Sequence, residues 1–127
     1  MPAPHVIRLR GPWDHEPPAV GGVRSTRKFN CPTNLEPEER VWLVCEGFEH
    51  PFKVALNDQS LGHVTAFRAA ARFDVTADLR PHNLVAIVVE LPPDAQPPAG
   101  PHDLLGEVRL EIGHSRPELG TTEFDPR

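Results

Sequence analysis

No stretch of this sequence approaches the roughly 18 consecutive apolar residues that a membrane-spanning helix needs. The first residues, MPAPHVIRLRGPW, lack a charged leader followed by an apolar run, so the reading is of a cytoplasmic protein without a secretory signal. Only two cysteines occur, Cys31 and Cys45, and they do not form a C-x-x-C pair, which excludes a zinc knuckle or a thioredoxin-type site. Cys45 shares an alternating set with Val41 and Leu43 and reads as a small buried hydrophobe rather than half of a disulfide. A surplus of basic charge is missing too. The formal net charge is −5, which gives no general attraction to nucleic acid or to an anionic membrane. Arg24, Arg27 and Lys28 cluster locally but have no interleaved aromatics for base stacking, so they read as a solvated strand face. There is no G-x-S-x-G elbow, no phosphate-cradling glycine loop and no H-E-x-x-H. No cofactor is implied. Seven histidines are present, none at a metal-ligand spacing, and His50, His63 and His102 fall in expected loops, so no metal site is assigned.

What the sequence has is proline, 16 of its 127 residues, and nine glycines, placed between short apolar runs rather than within them. This is the pattern of many short strands joined by turns. A chain of this length buries roughly two-thirds of its unfolded surface, enough for one core without staples. The alternating runs predict strands at His5–Arg10, Val23–Cys31, Arg40–Glu46, Phe52–Leu56, Arg72–Val75, Leu84–Leu91 and Leu104–Ile112. Asn57-Asp58 marks a tight hairpin turn. Thr33 or Asn34 is placed to cap a single helical turn. FRAAARF is read as loop into strand in spite of its alanines, and Thr76-Ala-Asp as a turn or one helical turn. The expected organisation is a single β-sandwich over 1–112 and a weakly packed C-terminal tail over 113–127. The fold class is all-β, two antiparallel sheets face to face. Leu9, Phe29, Val41, Leu43, Val54, Leu56, Phe73, Val75, Val85, Ile87, Val89, Val108 and Leu110 should point inward.

The same alternation sends Trp42 and Val44 outward from one strand and Leu84, Ala86 and Val88 outward from another. Both outward sets are apolar, whereas Glu107, Arg109 and Glu111 on the last strand read as a solvated face. If the two apolar strands share a sheet, these five residues form a patch that a monomer seldom exposes. The patch is then covered by the Pro-rich 92–101 segment or the tail, or it is an interface centred on Trp42 with a second copy or a protein partner.

The order of these pieces carries a resemblance. Glu46-Gly47, Val54-Ala55-Leu56-Asn57, Leu61-Gly62, Phe73-Asp74-Val75-Thr76 and Asn83 to Val89 resemble, in sequence order, the N-terminal domain of the glycoside hydrolases that include β-galactosidases and β-glucuronidases. Gly11-Pro12-Trp13 and Arg27-Lys28-Phe29 fit its opening strands, and Phe73-Asp74-Val75-Thr76 is the sharpest match. Asp58 departs from the glycine usual in the hairpin, and Ala70-Ala71 from a usual Pro-Phe. The resemblance implies a galactose-binding-like jelly roll. It does not imply catalysis, because the family's catalytic carboxylates belong to a separate barrel domain, and a retaining pair must stand about 5 Å apart across a cleft. Glu46 and Glu49 read as solvated turn residues. Sandwiches of this kind bind sugars through loops, with an aromatic face for stacking and polar side chains for hydrogen bonds. Trp13, Asn57, Asp58, His63 and Arg68 are the candidates for that role, and Trp13 is equally suited to covering the open end of the core. Two functions from different classes therefore stand: a non-catalytic carbohydrate-binding module, and a protein-interaction or assembly module without a sugar site.

Overall fold

The computed structural model describes residues 5–16, 22–65, 70–92 and 104–113, together with the backbone of 122–123. Its strands are β1 (His5–Arg8), β2 (Asp14–His15), β3 (Gly22–Asn30), β4 (Arg40–Glu46), β5 (Phe52–Leu56), β6 (Gln59–Val64), β7 (Ala71–Asp74), β8 (His82–Glu90), β9 (Glu107–Gly113) and β10 (Thr122–Glu123). They form two five-stranded sheets. The first runs β1-β9-β4-β7-β10 and the second β2-β3-β8-β5-β6. Every pairing is antiparallel except that of β10 with β7.

The core lies between the sheets because each strand turns alternate side chains toward the other layer. All thirteen residues expected to point inward are in one buried cluster. Phe48, Phe52, Leu61, Val64, Val23 and Leu104 join them. Phe48 lies in the bend after β4 and stacks on Phe52, with ring centroids 4.1 Å apart. An aromatic in a bend carries no alternation to reveal it. Leu43, central on β4, is fully buried and pairs with Phe73 on one side and Leu110 on the other.

Several boundaries move. β1 ends at Arg8 rather than Arg10, although Leu9 N–H still donates to the Val108 carbonyl at 2.9 Å. Asp14–His15, outside the strands that the alternation predicts, pairs with Thr26 and Ser25. The β4 approach has no helical turn. Glu39 N–H instead donates to the Glu36 carbonyl at 3.0 Å, and Asn34 adopts a φ of 62°. Asn57 and Asp58 take φ values of 52° and 67°, the left-handed pair that a two-residue hairpin twisted with its strands requires. Asn and Asp tolerate that region where a β-branched residue would not. Thr76–Asp78 is a 3-10 turn. The tail adds β10 on the β7 edge. Cys31 and Cys45 are free thiols, and burial pushes the Cys45 thiol up to about 12 against the opposing pull of Arg109.

Leu43→Ala leaves a cavity at the centre of this core and should lower the unfolding free energy by about 2–5 kcal/mol, read from urea melts. Val54→Asp buries an unpaired charge and should yield no cooperatively folded protein by near-UV circular dichroism.

Candidate functional site

The residues behind the resemblance hold the fold together. Asn57 in the hairpin turn donates from Nδ2 to Asn83 Oδ1 at 3.0 Å and to the Asp78 carbonyl at 3.3 Å. Its Oδ1 accepts from Leu84 N–H at 2.9 Å. Asn83, 3% exposed, donates in turn to the Arg80 carbonyl at 2.7 Å and accepts from Arg80 N–H at 2.9 Å. A buried primary amide presents two donors and an acceptor, so this pair satisfies the turn, the 3-10 segment and the start of β8 together. Phe73-Asp74-Val75-Thr76 works in the same way. Phe73 and Val75 fill the core, while Asp74 Oδ1 accepts from Thr76 Oγ1 at 2.7 Å and Asp74 Oδ2 from Arg40 at 2.6 Å. Thr76 Oγ1 accepts from Val41 N–H at 2.8 Å, tying the turn to β4. Burial opposes ionisation of Asp74, but hydrogen bonds from Thr76 and Arg40 win and lower its pKa.

The outer faces of the sheets differ from expectation. β4 belongs to the first sheet and β8 to the second, so Trp42 and Val44 do not share a patch with Leu84, Ala86 and Val88. Trp42 and Val44 are buried, at 8% and 0% exposure. Trp42 sits between Asp74 and Glu111, and Val44 between Arg72 and Arg109. Because β7 and β9 flank β4, the ion pair from Arg72 to Glu111 crosses diagonally over β4 between these two apolar side chains. Arg109 extends the arch, reaching Glu111 at 2.7 Å and Glu46 at 2.8 Å. Glu111, expected to be solvated, is therefore 8% exposed. The reason is that long charged side chains lay their apolar stems over the strand while their heads pair. Two donors, Trp42 Nε1 and Arg72 Nε, are buried without a hydrogen-bond partner. On the second sheet Leu84 and Val88 remain partly exposed and Ala86 is nearly covered, in a row with Thr26 and Ala55.

The sugar-site candidates do not converge as one loop cluster. His63, expected in a loop, is on β6, faces outward and contacts Glu90 at 2.6 Å. Arg68 lies outside the described residues, as do His102 and all but one residue of the 92–101 segment. Trp13, Asn57 and Asp58 do line one surface feature. It runs along the open side of the sandwich, where β1 at the edge of one sheet passes β2 and β3 at the edge of the other.

This feature is a run of three adjoining cavities. The first, about 540 Å³, is walled by Arg8, Arg10, Trp13, His15 and the Leu105–Val108 segment. The second, about 370 Å³, shares Arg8 and Leu9 with it and adds Arg27 and Lys28. The third, about 470 Å³, shares Lys28, Phe29 and Asn30 with the second and ends at Asn57, Asp58 and Arg80. Gly11-Pro12, with a cis peptide bond, delivers Trp13 into the first cavity. The Trp13 ring packs partly on the core, and its Nε1 donates to the Leu9 carbonyl at 3.0 Å, which fixes its orientation. Gly106 is required in the opposite wall, because a Cβ there would collide with the Glu46 carbonyl oxygen. Arg27 closes the floor by donating to the Arg10 and Lys28 carbonyls. The Arg24, Arg27 and Lys28 cluster thus divides: Arg24 pairs with Glu16, Arg27 turns to the groove, and Lys28 stands opposite Leu84 on the outer face of the second sheet. Among the described residues no group of His, Cys, Asp or Glu is arranged to hold a metal, and no helix is long and apolar enough to cross a membrane.

Neither a family model nor a curated protein matches the chain. Solved structures do. The chain has the sandwich fold of a domain in family 2 glycoside hydrolases and resembles their N-terminal domain. A β-glucuronidase of Bifidobacterium dentium, solved with coumarin-3-O-glucuronide, superposes with a TM-score of 0.69 at 19% identity, over 87% of this chain and 30% of that one. The β-D-glucuronidase of Dictyoglomus thermophilum gives 0.65 at 15% identity, over 87% and 28%. A putative β-galactosidase from Bacteroides fragilis gives 0.64 at 16%, over 87% and 23%. The chain spans less than a third of the length of these enzymes.

Glu111 and Asp74 carry a pH dependence. Burial would raise the Glu111 pKa, but hydrogen bonds from Arg109 and Arg72 outweigh it and lower it below the ordinary carboxylate range. A carboxylate whose folded pKa is depressed stabilises the protein above its unfolded value, and that stability is lost as pH falls through the folded one. Stability from denaturant melts should therefore be flat near neutrality and drop below about pH 4. In Glu111→Gln the neutral-pH stability should fall and the acid slope should become shallower.

Proposed function

We propose that this chain is a non-catalytic carbohydrate-binding module built on a glycoside-hydrolase-type sandwich. The observation that carries this reading is the groove with Trp13 at one end. An indole fixed by its own hydrogen bond, partly exposed in a cavity and surrounded by arginine and histidine, supplies the flat apolar face and the polar donors that a pyranose ring takes. The enzymes that share the fold act on glucuronides and galactosides by their names, which supports a sugar as the ligand class. The carboxylates of the groove, Glu107 and Asp58, belong to different cavities, and Glu107 is engaged by Arg8 and Arg109. They do not face each other across a cleft as a hydrolytic pair does.

Heteronuclear NMR titration with a panel of mono- and oligosaccharides up to millimolar concentration tests this. Shifts should concentrate on the Trp13 indole and its neighbours Arg10 and His15, and no shift across the panel overturns the reading. Purified protein should leave aryl glucuronides and aryl galactosides intact. Turnover that copurifies with the chain to homogeneity would refute the non-catalytic part.

A second reading rests on a different surface. Leu84 and Val88, with Ala86 and Ala55 between them, form an apolar row on the outer face of the second sheet, bordered by Lys28, Arg24 and Lys53. That face suits an assembly module, a homodimer or a protein partner. Light scattering at high concentration on wild type and Val88→Glu distinguishes it: association that is lost in the variant favours assembly.

A further inference from the structure

The second sheet has an edge that its own strands do not complete. Glu16 N–H donates to the Arg24 carbonyl at 2.9 Å, so Arg24 points its carbonyl to the β2 side, away from β8. Backbone groups alternate sides along an antiparallel strand, so Thr26, Lys28 and Asn30 point theirs the same way. Cys31 N–H, the next in line, donates on the opposite side, to the Pro81 carbonyl at 3.0 Å. β2 is two residues long and covers only Ser25 and Thr26. Its register, continued, would set Pro12 opposite Lys28, and a proline has no N–H to give. Residues 27–30 of β3 are therefore paired with β8 alone. On their free side the Lys28 carbonyl accepts from Arg27 Nη1 at 2.9 Å, and no described residue accepts from the Lys28 or Asn30 N–H.

The surfaces beside this edge select what can pair with it. On the outer face Lys28 is exposed and has no ion-pair partner among the described residues, whereas Arg24 and Lys53 on the same face reach Glu16 and Glu90. On the inner side Phe29 borders a cavity of about 370 Å³ whose other wall is Ile7, Leu9 and Leu110. From this we propose that an extended segment of a partner protein adds to the second sheet along residues 28–30. It carries a carboxylate side chain opposite Lys28 and an apolar one opposite Phe29. Main-chain hydrogen bonds hold such a strand, and its alternate side chains meet the two faces. An acidic residue directly across from Lys28 makes a favourable cross-strand pair. A second copy of this chain is the wrong occupant, because pairing two β3 edges would bring Lys28 beside its own counterpart, and like charges across a strand pair repel. None of Lys28, Phe29 and Asn30 lines the Trp13 cavity, so the proposal stands independently of the carbohydrate-binding reading.

Heteronuclear NMR titration of the full chain with a blocked hexapeptide, Thr-Val-Glu-Val-Glu-Thr, tests it. Two controls accompany this peptide, one with lysine for both glutamates and one N-methylated at both glutamates. The acidic peptide should shift the Lys28 and Asn30 amides and slow their hydrogen exchange. It should bind at least about fivefold more tightly than the lysine peptide at low salt, and the difference should shrink as salt screens the charges. The N-methylated peptide should not bind, since it cannot pair as a strand. Lys28→Glu, at an exposed position, should keep the wild-type melting temperature and reverse the preference in favour of the lysine peptide. Equal binding of the acidic and lysine peptides, binding that survives N-methylation, or no shift at Lys28 and Asn30 up to millimolar peptide each overturns the proposal. Shifts confined to Leu84, Ala86 and Val88 overturn it in favour of docking on the outer face of the second sheet.

Discussion

Two strands constrain everything else in this molecule: β4 and β8 lie at the centres of their sheets, and each must turn one face to the other across the core. Val41, Leu43 and Cys45 meet Val85, Ile87 and Val89 in that layer, all at 1% exposure or less. Apolar burial between the layers is non-directional, so it fixes which residues go inside without fixing which strands neighbour one another. Neighbours are set instead by polar groups that have one satisfactory arrangement. The Asn57–Asn83 amide pair joins the β5–β6 turn to β8, and Asp74 with Thr76 joins β7 to β4. A buried amide that loses its partner costs more than a core methyl that shifts. This gives a physical reason for Asn57, Asn83, Asp74 and Thr76 to occur together, and it assigns the sharpest sequence motif of the chain to architecture rather than to chemistry.

The alternation of apolar residues made the interior legible, since period two is a property of the backbone and survives any arrangement of strands. Sheet membership was not legible. Trp42, Val44, Leu84, Ala86 and Val88 all point away from the core as the alternation requires, yet nothing local to β4 or β8 says that they face opposite sides of the molecule. Nor does the pattern E-V-R-L-E-I of β9 show that Glu111 will be nearly buried. That follows from Arg72, 39 residues earlier in the chain, arriving on the far side of β4. Charge alternation identifies an outward face but cannot separate a solvated face from a lidded one, because a lid depends on long-range pairing.

The groove was the least legible feature, although its residues were individually visible. Trp13 and the Asn57-Asp58 turn are 44 residues apart at their nearest, and the cations between them come from three separate segments. What assembles them is the shortness of β1 and β2, four and two residues, which leaves the side of the sandwich open where longer edge strands would have closed it. A sandwich that closed that side would bury Arg10 and Arg27 or expel them. One that leaves it open keeps them hydrated and at low electrostatic cost.

The two outer faces and the groove can therefore be ranked by how completely each is satisfied within the chain. On the first sheet the charges pair among themselves over β4, and a partner binding there would first have to break the Arg72–Glu111–Arg109 array, exchanging ion pairs already made for new ones. On the second sheet the apolar row of Leu84, Ala86 and Val88 is narrow and bordered by lysine and arginine, whose stems already shield part of it. In the groove the Trp13 indole N–H is bonded and two Arg27 donors are held by carbonyls, while Arg10 and Arg27 have no ion-pair partner among the described residues. Recognition is strongest where the free protein has already settled its geometry and left its charge unmatched, since the ligand then supplies the counter-charge without an ordering cost. By that criterion the open side of the sandwich, rather than either sheet face, is where this chain is best prepared to meet another molecule.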